Sequence, residues 1–257
     1  LERMKAIGEA AGGSINDVLL AACSGALRRY LAEIGKLPRK SLVASIPVAL
    51  PRDAAETGNA ISFANVRLGT DIEDVRERFE VIRRSSVAGR NYLKQMTAAA
   101  LIDYTVLISS PQMLTRVPGI GARVPPIYNV IISNVPGPRA KLYFLGAEME
   151  AYYPISALAH GQALNVTVMS YAGGLYFGFT ACPDRVPSVQ RVAVYTGDAL
   201  DELEKVFVTG AQAPAAKKKP RTKPAKARAK VAARRAPAKR AARPPGARAA
   251  NPRAKAR

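Results

Sequence analysis

The chain has 257 residues and a formal net charge of +20. Of its 39 Lys and Arg, 17 lie in 211–257, which holds no Asp or Glu, so residues 1–210 keep 22 basic and 19 acidic side chains and a net charge of +3. This excludes a uniformly basic globule and describes a near-neutral domain over 1–210, long enough to bury a core, with a strongly basic tail. Cys23 and Cys182 are too few for a disulfide framework, and neither stands at a metal-ligand spacing. A reducing, cytoplasmic compartment is the plain reading, and no signal-peptide pattern opposes it. Leu1 falls inside a helical pattern, which points to a fragment or an unusual start site.

In chain order, Leu1 to Ala11 reads as a short helix ended by Gly12-Gly13. Ser14 caps a strong helix, with Asp17 three residues on in the manner of a capping box, and Gly35 stops it. Ser41 to Leu50 reads as a strand ending at or near Pro47, interrupted in its apolar run only by Ser45 and that proline. Residues 51–59 read as a polar loop and Ala60 to Leu68 as a second strand. Asp71 is expected to cap the next helix, with Ile72, Val75, Phe79 and Ile82 inward and Arg76, Arg78, Arg83 and Arg84 outward. Asn91 to Ile108 reads as a further helix, with Leu93, Met96, Ala100, Leu101, Tyr104 and Leu107 on its inner side and Pro111 as its breaker. A Pro-, Gly- and Arg-rich loop runs from there to Pro126.

Tyr128 to Ile132 reads as a buried strand stopped by Asn134 and the rigid Pro136-Gly137-Pro138 turn. Lys141 to Leu145 is a short strand. Ala151 to Pro183 contains no Asp, Glu, Lys or Arg, and its Pro, Gly, Gln and Asn exclude a long apolar helix, so the expectation is deep interior. Within it, Leu164 to Tyr171 alternates as a strand, Gly173-Gly174 signals a hairpin, and Leu175 to Cys182 returns, with Gly178 open to a close approach. Pro187 to Phe207 reads as the last helix. The tail, 211–257, is Ala, Lys, Arg and Pro, and is expected to be disordered because it cannot bury enough to offset its ordering entropy. Interleaved helices and strands with late hairpins predict an α+β or mixed α/β sandwich, a mixed sheet flanked by helices.

No nucleophile elbow, phosphate loop or metal-ligand pair is present in the sequence. The single histidine, His160, has two readings: a packed or surface histidine beside a turn, or a group lining a pocket. Asn16-Asp17 is either a capping device or a polar pair directed from a helix start into a site. Ser133-Asn134 is either turn chemistry or the edge of a site.

Several blocks, in order, resemble the C-terminal half of the bacterial wax ester synthase/diacylglycerol acyltransferase family. They are Ser14-Ile15-Asn16-Asp17-Val18-Leu19-Leu20-Ala21 with Gly25-Ala26-Leu27-Arg28, Pro47-Val48 with Gly58-Asn59, and Ser133-Asn134-Val135-Pro136-Gly137-Pro138. Tyr153-Pro154 and Leu164-Asn165-Val166-Thr167-Val168-Met169-Ser170-Tyr171 complete the set, over about 1–207. The resemblance implies one half of a chloramphenicol acetyltransferase-like, condensation-domain-like sandwich with a substrate tunnel between halves. It implies fatty acyl transfer from acyl-CoA, as co-substrate, to diacylglycerol or a long-chain fatty alcohol, with no other cofactor. The family's general base is the second histidine of a His-His-x-x-x-Asp-Gly motif in the N-terminal half, a motif this chain lacks because it has one histidine. No catalytic or metal residue is therefore carried over. Asn16, Asp17, Arg28, Ser133, Asn134, Pro136 and Gly137 are carried over as substrate-binding or site-supporting positions, and Leu164 to Phe179 as a candidate tunnel wall.

Two functional classes follow. One is the C-terminal part of an acyltransferase, inactive without its N-terminal half. The other is a non-catalytic lipid-associated or partner-binding scaffold. The tail is expected to bind an anionic membrane or lipid-droplet surface, with nucleic-acid backbones as the other target and a solvated tail without a partner as the bland reading.

Overall fold

The computed structural model describes residues 1–49, 61–114, 127–158 and 161–210; of residue 98 and residues 111–114 it describes the backbone only. The expected loop at 51–59, the loop up to Pro126, His160 and the tail fall outside the described residues.

The chain opens with two helices, α1 (Glu2–Ala10) and α2 (Ile15–Glu33). Two strands follow, β1 (Val43–Ala49) and β2 (Ile61–Arg67), then α3 (Val75–Lys94) and α4 (Ala98–Leu114). Next come β3 (Val130–Val135), the minimal hairpin β4 (Tyr143–Phe144) and β5 (Ala147–Glu148), then β6 (Leu164–Tyr171), β7 (Gly174–Ala181) and α5 (Gln190–Phe207). The main sheet is mixed, in the order β2-β1-β3-β6-β7. Its two inner pairings, β1 with β3 and β3 with β6, are parallel, and the outer pairings are antiparallel.

Local chemistry explains the elements. A full capping box starts α2: Ser14 Oγ accepts from the Asp17 N–H at 3.3 Å, and Asp17 Oδ2 accepts from the Ser14 N–H at 2.9 Å. The hairpin between β6 and β7 turns through Ala172 and Gly173, both at positive φ, as a two-residue turn joining right-twisted strands requires. The turn thus lies one residue before the expected Gly173-Gly174.

One face of the sheet carries Ala44, Ile46, Ala64, Val66, Val130, Ile132, Leu164, Val166 and Val168. These join side chains of α1, α2, α3 and α5 in one hydrophobic core. The α2 hydroxyl of Ser24 reaches the Leu68 carbonyl just past β2, at 2.5 Å.

The structure corrects several expectations. Helix α3 is capped by Asp74, whose Oδ1 accepts from Glu77 N–H at 2.8 Å, and not by Asp71. Arg78 does not point outward: it is 5 % exposed, and its guanidinium donates to the Ile72 and Glu73 carbonyls at the turn that leads into its own helix. The expected helix from Asn91 is two helices, because α3 runs to Lys94 and α4 starts at Ala98. That break shifts the helical phase and turns Leu107 out to solvent. Pro111 does not end α4, whereas β1 ends at Ala49, near Pro47 as expected. Pro47 lies beyond the last β1–β3 pair, Ser45 with Ile131, where β1 has β2 as its partner.

The interior expectation for Ala151 to Pro183 holds for β6 and fails before it. Tyr152, Tyr153 and Ile155 are exposed, as are Tyr143, Phe144 and Leu145 of the β4–β5 arm. Lack of charge before β6 does not mark a surface covered by helices. No single helix among the described residues is long and apolar enough to cross a membrane.

Candidate functional site

The second face of the sheet carries the candidate site. Strand register aligns Asn65, Ser45, Ile131, Asn165 and Thr180 in one row across all five strands. A row this polar on a central sheet face is unusual for packing alone, because each group needs a partner once water is removed.

Two elements lie over parts of this face. Residues 149–158 form a strap over β6 and β7. The Tyr176 hydroxyl bonds the Glu150 carbonyl at 3.1 Å, Tyr153 packs edge-on against Tyr176, and Ser156 Oγ lies 2.6 Å from Thr167 Oγ1. Thr167 in turn donates to Asn165 Oδ1 at 2.9 Å, so Ser156 is the donor to Thr167 and the buried pair is satisfied. On the other side, α4 brings Ile108 and Ser109 toward β2. Between them a trough of about 200 Å³ opens over β1 and β3, with Ser45, Asn65 and Gln162 as polar lining and Phe63 and Ile131 as apolar wall. Gln162 Nε2 donates to the Tyr128 hydroxyl at 2.8 Å. No Asp, Glu, Lys or Arg lines the trough among the described residues.

The residues carried over from the family motifs are not gathered at this trough. Asp17 is buried at the start of α2, held in the capping box, with Arg90 3.8 Å from its Oδ1. Asn16 is half-buried beside it. Arg28 lies farther along α2, where its guanidinium donates to the Thr70 carbonyl at 2.8 Å. It lines a separate cavity of about 420 Å³ between α2 and α5, with Arg78, Glu73, Asp198 and Glu202. Burial, opposed by Glu202, lowers the Arg78 pKa from its ordinary value.

Ser133 and Asn134 pair with Thr167 and Val168, just before the last β3 pair, Val135 with Met169. Pro136 is exposed. Gly137 is held against β6: its N–H donates to Ser170 Oγ at 3.0 Å, and a Cβ there would lie 2.1 Å from the Ser170 carbonyl oxygen. The Pro138 carbonyl then accepts from the Ala172 N–H at 3.0 Å. The Pro-Gly-Pro turn thus fastens the exit of β3 to the tip of the β6–β7 hairpin.

Sequence reasoning passed over Asn65 and Ser45. Their signal was present, since each interrupts a β-branched or apolar run at an alternating position. Which face they shared required the register. Among the described residues no group of three or more His, Cys, Asp or Glu could hold a metal ion.

A mixed sheet with helices on one face and a trough on the other is the half-sandwich of condensation-domain and chloramphenicol acetyltransferase-like proteins. The nonribosomal peptide synthetase FmoA3 shares this fold, at a TM-score of 0.54 and 14 % identity over 80 % of this chain and 21 % of that one. The model of the WS/DGAT C-terminal domain matches residues 57–204, and the chain belongs to that family. The wax ester synthase/diacylglycerol acyltransferase of Marinobacter aquaeolei VT8 superposes with a TM-score of 0.71 at 34 % identity, over 80 % of this chain and 47 % of that one. The Mycobacterium tuberculosis protein Rv3480c, named as a diacyglycerol O-acyltransferase, is 45 % identical over 207 residues, 79 % of this chain and 42 % of its own length. Rv3740c of the same organism, named likewise, is 43 % identical over 206 residues, 80 % of this chain and 46 % of its own length. The chain spans about half the length of these relatives.

Proposed function

We propose that this chain is the C-terminal part of an O-acyltransferase that moves a fatty acyl group from acyl-CoA to diacylglycerol or a long-chain alcohol. The observation that carries the reading is the uncharged trough on the sheet face opposite the main helical core, in a chain whose single histidine leaves no room for the family's paired-histidine motif.

In this reading the base comes from an N-terminal half such as the longer relatives carry. It takes the hydroxyl proton as the alcohol oxygen attacks the thioester carbonyl, and the C–S bond breaks to release CoA as its thiolate. The present chain supplies the opposite wall. Apolar side chains there keep water from the thioester, and fixed polar groups orient the chains of the two substrates. Acyl-CoA is a co-substrate and no further cofactor is invoked. The basic tail holds the enzyme at an anionic membrane or lipid-droplet surface, where both substrates partition, each Lys or Arg near that surface contributing about 1 kcal/mol.

The test is reconstitution. The chain is mixed with the N-terminal half of a mycobacterial relative, and transfer of labelled palmitate from palmitoyl-CoA to dioleoylglycerol is followed. Transfer in the mixture, absent from either half alone, supports the reading. No transfer in a mixture shown to associate favours the scaffold reading, for which the exposed Phe144, Leu145 and Ile155 are the supporting observation.

A further inference from the structure

Asn65 lines the trough from β2 with its Oδ1 buried and without a hydrogen-bond partner. Its cross-strand neighbour is Ser45, 1 % exposed. Buried side-chain oxygens are paired in the large majority of cases, so an orphan acceptor on a residue that lines a cavity points to a donor the free chain does not supply. The other walls narrow its identity. Phe63, Ile108 and Ile131 require aliphatic contact, and the absence of charged lining among the described residues disfavours an ionised group.

We propose that this trough is a binding subsite for a neutral segment carrying one N–H or O–H donor on an aliphatic chain, the Asn65 carboxamide turning so that its Oδ1, closed off in the free chain, accepts the hydrogen bond. Ser45 beneath it gives the donor's own acceptor lone pair, if it is a hydroxyl, a second partner. With the acyl-transfer reading above, on which the choice of probes rests, two sources supply that chemistry. One is the free hydroxyl of a diacylglycerol. The other is an amide N–H of the pantetheine arm of acyl-CoA. The nucleotide phosphates of CoA find no cation here among the described residues.

The experiment measures binding of 1,2-dioctanoylglycerol and of pantetheine to the full chain by saturation-transfer NMR and calorimetry. The hydroxyl-capped control is the methyl ether of dioctanoylglycerol. The wild type is expected to bind at least one donor-bearing probe, and Asn65→Leu to bind it about tenfold more weakly, the effect of one lost hydrogen bond to a neutral group. If dioctanoylglycerol is the ligand, its methyl ether binds the wild type about tenfold more weakly than the free alcohol and does not distinguish Asn65→Leu from wild type. If pantetheine is the ligand, competition by N-methylated pantetheine falls by the same factor. Both capped comparisons use the wild-type chain, so they decide the matter even where Asn65→Leu fails to fold. Failure of both probes to bind overturns the subsite, as does equal binding by Asn65→Leu or by the capped probe. Transfer by reconstituted halves with no dependence of binding on Asn65 would remove the subsite alone. Asn65-dependent binding without transfer would remove the acyltransferase reading alone.

Discussion

A Cβ placed on Gly178 would lie 1.8 Å from the carbonyl oxygen of Pro154. The strap therefore crosses β7 in van der Waals contact with its backbone, at a position only glycine permits. Gly178→Ala is expected to force the strap off the sheet and to cost about 1–3 kcal/mol, as overpacking of a tight contact does. Urea unfolding measures that cost. The Tyr153–Tyr176 contact should loosen with it, read as faster exchange of the amides in 150–158.

Tyr171 ties the β4–β5 arm to the sheet. Its buried hydroxyl accepts from the Leu142 N–H and donates to the Met149 carbonyl, each at 2.8 Å. Tyr171→Phe strands both backbone groups and should cost about 1–3 kcal/mol. Amide exchange at Leu142 should rise more than exchange in the middle of β6, which marks a local opening of the arm.

Ser14 and Asp17 separate capping from any role in a site. Ser14→Ala removes the cap and should cost about 1 kcal/mol by denaturant unfolding. Asp17→Ala removes the cap as well and leaves Arg90 without its nearest carboxylate. If Asp17 acts only as a cap, both variants lose reconstituted transfer in proportion to stability. A loss confined to Asp17→Ala, at equal stability, assigns it a further role.

Stability at low pH should depend on Glu80. Hydrogen bonds from Arg83, and then from Arg84, hold its carboxyl at about 2, against an ordinary 4.5. A depressed pKa makes the folded state bind its proton later than the unfolded chain. The contribution is full above about 4.5 and fades as pH falls toward 2. The difference in urea midpoint between wild type and Glu80→Gln should shrink across that window. The side chain is about a third exposed, so added salt should shrink it too.

The two thiols should differ in reactivity. Burial pushes Cys23 up to about 12, whereas Cys182 is half-buried. Iodoacetamide at pH 8 should modify Cys182 alone in the folded protein and both after unfolding, as peptide mass spectrometry would show.

Local features were legible in the sequence wherever one short pattern carried them. The Ser14–Asp17 capping box, the β6–β7 hairpin and the close approach at Gly178 each rest on a few adjacent residues. Phase and register were less legible. The α3–α4 break rotates Leu107 outward, and no local rule places Arg78 on the buried side of α3. The trough was hidden for the same reason. Asn65, Ser45 and Asn165 lie on three different strands, and only one antiparallel and two parallel pairings bring them into one row. A long uncharged run reads as interior by composition, but exposed apolar side chains such as Ile155 give the same composition.

The central claim is that this chain forms one wall of an acyltransferase and holds no base of its own. The most direct measurement is turnover of palmitoyl-CoA with dioleoylglycerol by the purified chain alone, and again with the N-terminal half of a relative added. The account predicts background release of CoA for the chain alone and acyl transfer on addition of the half that carries the paired histidines. Robust transfer by the chain alone, abolished by His160→Ala, would contradict it.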